Sequence, residues 1–122
     1  MDDKRILIVD DEEAVLNLLE KRLTTAGYSI IKSRDGREAI RLAKKERPDL
    51  ILLDVKMPVL DGSSAAEILK SDPETKDIPR VFLTSLLTRQ EEETFGHESG
   101  GNFFIAKDSS TDELLNEIKK YI

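Results

Sequence analysis

Five short apolar runs, each stopping at a polar residue, constrain this chain more than anything else in it. Ile6-Leu7-Ile8-Val9 ends at Asp10-Asp11, and Leu50-Ile51-Leu52-Leu53 ends at Asp54. Arg80-Val81-Phe82-Leu83 ends at Thr84-Ser85, and Phe103-Phe104-Ile105-Ala106 ends at Lys107. A fifth run, Tyr28-Ser29-Ile30-Ile31, is shorter and more polar. Continuous β-branched and leucine-rich runs of this length are the signature of strands buried on both faces. Between them lie amphipathic stretches with helical spacing. Val15, Leu19 and Leu23 recur every four residues before Gly27; Ala39, Ile40 and Ala43 follow Asp35-Gly36 and precede Pro48-Asp49. Ala65, Ile68 and Leu69 mark a helix over about 63–70, and Leu114, Leu115, Ile118 and Tyr121 mark one beginning near Thr111, with Ser110 or Thr111 as its cap. Thr88–Ser99 is very polar and contains Gly96, so it is a weak helix. Val55–Gly62, with Pro58 and Asp61-Gly62, is a turn or loop. Strand and helix alternate five times. That pattern predicts an α/β domain with a parallel sheet covered on both faces and right-handed crossovers.

At 122 residues the chain is long enough for one domain with a sizeable core. The absence of cysteine excludes disulfides, thiolate metal sites and cysteine nucleophiles. No apolar run approaches the ~20 residues of a membrane span, and the N-terminus lacks a signal-peptide core. A cytoplasmic protein is the simplest expectation. A net charge of −6 argues against non-specific binding of nucleic acid by the chain as a whole. No sequence of the form G-x-x-x-x-G-K-[ST] offers a nucleotide phosphate loop.

In an open parallel sheet ligands bind beyond the carboxyl ends of the strands. Asp10, Asp11, Asp54, Thr84, Ser85 and Lys107 all follow strand ends and so are expected to converge on one edge. Several carboxylates held together repel one another unless a cation intervenes. An oxygen-only cluster without histidine or cysteine selects Mg²⁺, Mn²⁺ or Ca²⁺ and not zinc, and a few carboxylates with room for water fit Mg²⁺ best. Each residue alone has a plainer reading. Asp10-Asp11 would cap a helix, Asp54 would end a strand in a turn, Thr84 would be an ordinary strand residue, and Lys107 a solvated charge. Phe104 alone would be core. His97 reads as a surface residue, and Lys119-Lys120 as a solvated helix end.

Taken together and in order, Asp10-Asp11, Asp54, Met57-Pro58, Asp61-Gly62, Thr84 and Lys107 resemble the receiver domain of bacterial two-component response regulators. The likeness runs from Ile6 to Tyr121, with steps of 43 residues from Asp11 to Asp54, 30 to Thr84 and 23 to Lys107. The resemblance implies a flavodoxin-like (βα)5 fold, a doubly wound five-stranded parallel sheet in the order 2-1-3-4-5. It implies that Asp54 accepts a phosphoryl group from a phosphohistidine on a sensor histidine kinase or phosphotransfer protein. Mg²⁺ would be bound by Asp11, by Asp10 mainly through water, by Asp54 and by the backbone carbonyl of Lys56. Thr84 and Lys107 would contact the phosphoryl group, and Phe104 would be the switch aromatic. The responding surface would be formed by the fourth helix, the fifth strand and the fifth helix.

The chain departs from the family pattern where Asp108, rather than proline after a cis peptide, follows Lys107. Ser85 and Gly101 each stand where alanine is usual. Asp108 and Ser85 motivate an alternative, a receiver-shaped interaction module that is not phosphorylated. A Mg²⁺-dependent phosphatase with an aspartyl nucleophile is a third reading, weakened because Lys56 stands where such enzymes carry a second aspartate. The expectation is therefore a single receiver domain over 1–122 with no output domain. It would be a phosphoacceptor rather than an enzyme, would contact neither nucleic acid nor membrane, and would be a monomer or a phosphorylation-dependent dimer.

Overall fold

The computed structural model describes residues 4–54, 62–84, 98–99, 102–106 and 110–122, with side chains described for 4–54, 64–83 and 110–122. Strands β1 (Arg5–Val9), β2 (Ser29–Ser33), β3 (Leu50–Asp54), β4 (Arg80–Thr84), β5 (Glu98–Ser99) and β6 (Asn102–Ala106) join one sheet in the order β2-β1-β3-β4-β6-β5. Four helices are described: α1 (Glu13–Thr25), α2 (Gly36–Glu46), α3 (Gly62–Ser71) and α4 (Thr111–Lys119). β1, β2, β3, β4 and β6 are mutually parallel, in the order expected from the sequence. β5 adds a short antiparallel edge, with Glu98 opposite Phe103 and Ser99 opposite Asn102. The helix expected over Thr88–Ser99 therefore does not reach its last two residues, which are strand; residues 88–97 lie outside the described ones. Glycines favour turns, and Gly100-Gly101 stands between the two short paired segments where a helix would have to continue.

The inner strands are buried along nearly their whole length. Ile6, Leu7, Ile8 and Val9 are wholly buried, as are Leu50, Ile51, Leu52 and Leu53. Alternate residues face opposite sides. Ile6, Ile8, Leu50, Leu52, Val81 and Leu83 pack with Leu16, Leu19, Leu23, Leu114 and Ile118 of α1 and α4. Leu7, Val9, Ile51, Leu53 and Phe82 pack with Ala39, Ala43, Ala66 and Leu69 of α2 and α3. The sheet is doubly wound. Alanines on α2 let that helix lie close to the strands.

Two expected core positions are displaced. Leu16, rather than Val15, is the buried residue at the start of the α1 stripe, and Val15 packs at its margin. Ile68 is 44% exposed, whereas Ala65, Ala66 and Leu69 are buried. At 3.6 residues per turn, position 68 points roughly 100° away from the centre of the face made by 65, 66 and 69.

Local chemistry sets the element ends. The Asp35 carboxylate accepts from the Glu38 amide at 2.9 Å and caps α2. Ser110 and Glu113 form a reciprocal capping box on α4. Gly27, at φ +100°, closes α1, and Arg47, at φ +46°, ends α2 in the left-handed region.

Candidate acidic metal and phosphoryl site

The parallel register fixes where the strand-end residues fall. Val9 lies opposite Leu53, so Asp10, the next residue along, comes level with Asp54 on the neighbouring strand. Neighbouring strands are about 4.8 Å apart. Ile8 and Leu52 share one face, and alternation puts Asp10 and Asp54 two residues further along that face. Asp54 is opposite Leu83, and Thr84 is opposite Ala106. Asp10, Asp54, Thr84 and the end of β6 therefore lie along one carboxyl-terminal rim. Of the residues expected to converge there, the backbone places Asp10, Asp54 and Thr84 on that rim, while Ser85 and Lys107 lie outside the described residues.

Both inner carboxylates are buried, Asp10 completely and Asp54 to 7% exposure. Asp10 is anchored from both sides. Its amide donates to the Ser33 carbonyl at 3.1 Å, and one carboxylate oxygen accepts from the Glu12 amide at 2.9 Å. That second bond joins the strand-end carboxylate to the start of α1, where Glu12 occupies the N-cap position without a side-chain cap of its own. The Asp10 side chain thus satisfies a helix N-terminal amide with one oxygen, and that role does not exclude metal binding.

Asp10, Asp11 and Glu12 each bring a ligand oxygen to within 4.8 Å of the others, Asp10 buried and the other two exposed. The donors are all hard carboxylate oxygens, and two of them face solvent. This set fits Mg²⁺, which keeps several waters and takes one or two carboxylates directly. Glu12 did not figure among the ligands expected from the sequence. The signal was the third acidic residue in the run Asp10-Asp11-Glu12, masked by its equally good reading as the start of a helix.

Among the other expected site residues, Thr84 and Phe104 have described backbones, in β4 and β6, with Phe104 opposite Phe82. Lys56, Met57, Pro58, Asp61, Ser85, Gly101, Lys107 and Asp108 lie outside the described residues, Lys107 directly following Ala106 in the chain.

In an open, doubly wound α/β sheet ligands bind beyond the carboxyl ends of the strands, and here carboxylates end two adjacent inner strands at that edge. Residues 6–119 match the family described as the response regulator receiver domain, and the chain belongs to that family. It is a receiver domain of two-component signalling. Response regulator PleD of Caulobacter vibrioides is 45% identical over 103 residues, 84% of this chain and 22% of PleD. Polar-differentiation response regulator DivK of Brucella anthropi is 34% identical over 119 residues, covering 98% of this chain and 96% of DivK. The chain spans about half or less of the length of other relatives it matches, PleD among them. Among solved structures, the receiver domain of a sensor histidine kinase from Pseudomonas aeruginosa, with a magnesium ion coordinated in its active-site cleft, superposes with a TM-score of 0.83 at 28% identity, over 98% of each chain.

Proposed function

We propose that Asp54 is the phosphoacceptor of this receiver. The observation that supports this most directly is its place: a nearly buried carboxylate at the end of the inner strand β3, level with the anchored Asp10 on β1. In the proposed reaction a carboxylate oxygen of Asp54 attacks the phosphorus of a phosphohistidine. An O–P bond forms as the N–P bond breaks, and the imidazole leaves, taking up a proton from water. The donor is a sensor histidine kinase or a phosphotransfer protein, the partners with which receivers of this family interact. The setting is the cytoplasm; among the described residues no helix is long and apolar enough to cross a membrane.

Asp10, Asp11, Asp54 and the backbone carbonyl of Lys56 would hold Mg²⁺ at this site. When bound, the ion offsets the charge that carboxylate and phosphoryl oxygens bring together. Asp10, anchored by the Glu12 amide, keeps its carboxylate at a fixed position. That pre-orientation spares the site from ordering a side chain on each binding event. The Thr84 hydroxyl donates to a phosphoryl oxygen, and the Lys107 ammonium pairs with the group as a point charge. Because β4 and β6 are hydrogen-bonded neighbours, a shift at Thr84 is felt directly on the strand that carries Phe104. Rotation of that ring then biases the surface formed by the segment before β6, by β6 and by α4.

The test is incubation with Mg²⁺ and a small phosphodonor, followed by trapping of the acyl phosphate and peptide mass spectrometry. The expected adduct is on Asp54, lost in Asp54→Asn and reduced in Lys107→Ala. Labelling that persists at the same site in Asp54→Asn, or a wild-type chain that is folded by NMR yet neither labelled nor perturbed by beryllofluoride, overturns the assignment.

A further inference from the structure

The charge of this acidic protein is distributed very unevenly. Residues 32–47 hold seven basic residues against three acidic ones, a net of +4, so with −6 for the whole chain the other residues carry −10. The basic residues do not lie scattered. Arg37, Arg41, Lys44 and Lys45 project from the exposed side of α2, with Arg34 just before the helix and Arg47 just after it, all six exposed. Arg37, Arg41 and Lys45 are four apart, which aligns them along one side over roughly 12 Å.

The acidic residues of the segment are committed elsewhere. Asp35 caps the Glu38 amide, Glu38 reaches back to the Arg34 amide, and Glu46 is bound by Arg5 at 2.6 Å. Lys44 pairs with Asp72 at 2.8 Å, and Arg41 meets Glu38 only at 3.9 Å. Among the described residues Arg34, Arg37, Lys45 and Arg47 enter no ion pair. A helix face with this much uncompensated like charge repels itself, since like charges at i, i+4 are destabilising.

We infer that the exposed face of α2 is a docking surface for an acidic segment of a partner protein, with carboxylates spaced to meet Arg37, Arg41 and Lys45. Charge complementarity selects the occupant. Guanidinium groups match carboxylates bidentately. Basic charge alone holds a protein to a membrane surface only weakly and reversibly, and the apolar residues of α2 that would add insertion are turned to the sheet: Ala39 and Ala43 are buried, and Ile40 and Leu42 pack against the same cluster. No aromatic residue lies in 32–47 for base stacking. A nucleic-acid duplex extends well beyond a three-turn stripe and so meets the −10 carried by the rest of the chain. A short acidic segment meets the stripe alone.

The test uses the full chain, labelled with ¹⁵N and titrated with a synthetic helical peptide bearing glutamates at every fourth position. Saturable amide shifts confined to residues 34–47 are expected, weakening as salt rises. Arg37→Glu/Arg41→Glu/Lys45→Glu should weaken binding by about tenfold or more, the worth of three exposed pairs. The same variant should gain affinity for the peptide with lysines in place of glutamates. If the triple reversal disturbs the fold, Arg37→Gln/Arg41→Gln/Lys45→Gln serves instead, with weakening but no gain. Absence of shifts at 34–47, or affinity indifferent to these substitutions, overturns the inference. So does a DNA duplex that binds the stripe as tightly as the peptide, or shifts at 34–47 that grow with protein concentration alone.

Discussion

Asp11→Asn should make this protein more stable when divalent cations are removed and less responsive when they are restored. The ligand oxygens of Asp10, Asp11 and Glu12 lie within 4.8 Å of one another, so Asp11 faces two like charges at or inside that distance. At 4.8 Å two unit charges repel by about 0.9 kcal/mol at the dielectric of water and by about 3.5 kcal/mol at an effective dielectric of 20. Asp11 and Glu12 are exposed, which places their pair at the lower end; Asp10 is wholly buried, which draws its pair with Asp11 upward. A total of about 2 kcal/mol is the reasonable sum at low ionic strength. Asparagine is nearly isosteric and removes the charge without opening a cavity. For a domain of this size 2 kcal/mol corresponds to roughly 6–12 °C in Tm. Magnesium should reverse the order. At a concentration ten times its dissociation constant, a ligand specific for the native state adds about 1.4 kcal/mol, and at a hundred times about 2.7 kcal/mol. Wild type should therefore rise to meet or pass the variant, which gains little. The assay is thermal or urea unfolding in EDTA and across a magnesium series, at low and at moderate salt. An Asp11→Asn protein less stable than wild type in EDTA would refute the repulsion argument. Equal gains from Mg²⁺ in both proteins would refute the ligand assignment.

Backbone conformation yields a pair of substitutions with opposite signs. Gly27 sits at φ +100° with nothing within 4 Å of an added Cβ, so Gly27→Ala should cost about 1 kcal/mol from the backbone alone, whereas Arg47→Gly, at φ +46°, should gain about 0.5 kcal/mol; chemical unfolding midpoints check both. The Lys44–Asp72 pair fastens α2 to the turn after α3. The hydrogen bond from Lys44, with help from the Glu74 amide, holds the Asp72 carboxyl below its usual 3.8. The same hydrogen bond and the charge of Asp72 hold the Lys44 ammonium above 10.5. A lowered carboxyl contributes stability that is present above its unfolded value and is lost as pH falls through the folded one. A raised ammonium contributes stability that is present below its unfolded value and is lost as pH rises through the folded one. The pair's contribution should thus be flat between about pH 5 and 9 and fade at both extremes. Carboxyl carbon shifts of Asp72 followed by NMR should titrate below those of exposed aspartates, and in Lys44→Ala that depression should shrink to what the Glu74 amide supplies.

The fold was legible because its strands are buried on both faces. A run such as Leu50-Ile51-Leu52-Leu53 has few other uses in a chain this size, and its abrupt stop at Asp54 marks where core gives way to rim. The edges were less legible for the same reason. β2, with only Ser33 wholly buried, alternates weakly, and its span in the chain extends two residues beyond the apolar run, to Lys32 and Ser33. β5 is invisible to periodicity: two polar residues, Glu98 and Ser99, pair through backbone groups whose partners are set by β6 and not by their own side chains. Ile68 was misplaced because the apolar content of α3 exceeds what its buried face can use, and the smaller alanines pack closer to the sheet.

The site was legible at one level and not at another. That Asp10 and Asp54 end neighbouring strands follows from where the runs stop, but that they come level on one face requires the register, which sequence spacing does not supply. With Val9 set opposite Leu53, each carboxylate falls two residues beyond a core pair, Ile8 and Leu52, that buries both partners completely. Two acidic side chains therefore come level at the end of strands whose core pairs are wholly buried. A slip of one residue in β1 or β3 would move one of them to the opposite face, against α2 and α3, and would also turn four core residues the wrong way. The hydrophobic core therefore fixes the face that the two carboxylates share. Truncating Leu52 to alanine should lower overall stability by about 2–5 kcal/mol through the lost packing, yet leave the level placement of Asp10 and Asp54 intact, because the remaining register pairs still fix it. Unfolding midpoints read the first effect, and the magnesium dissociation constant reads the second. A Leu52→Ala protein that stays folded at low temperature but binds Mg²⁺ many-fold more weakly would show that side-chain packing at 52, and not strand register, positions the carboxylates.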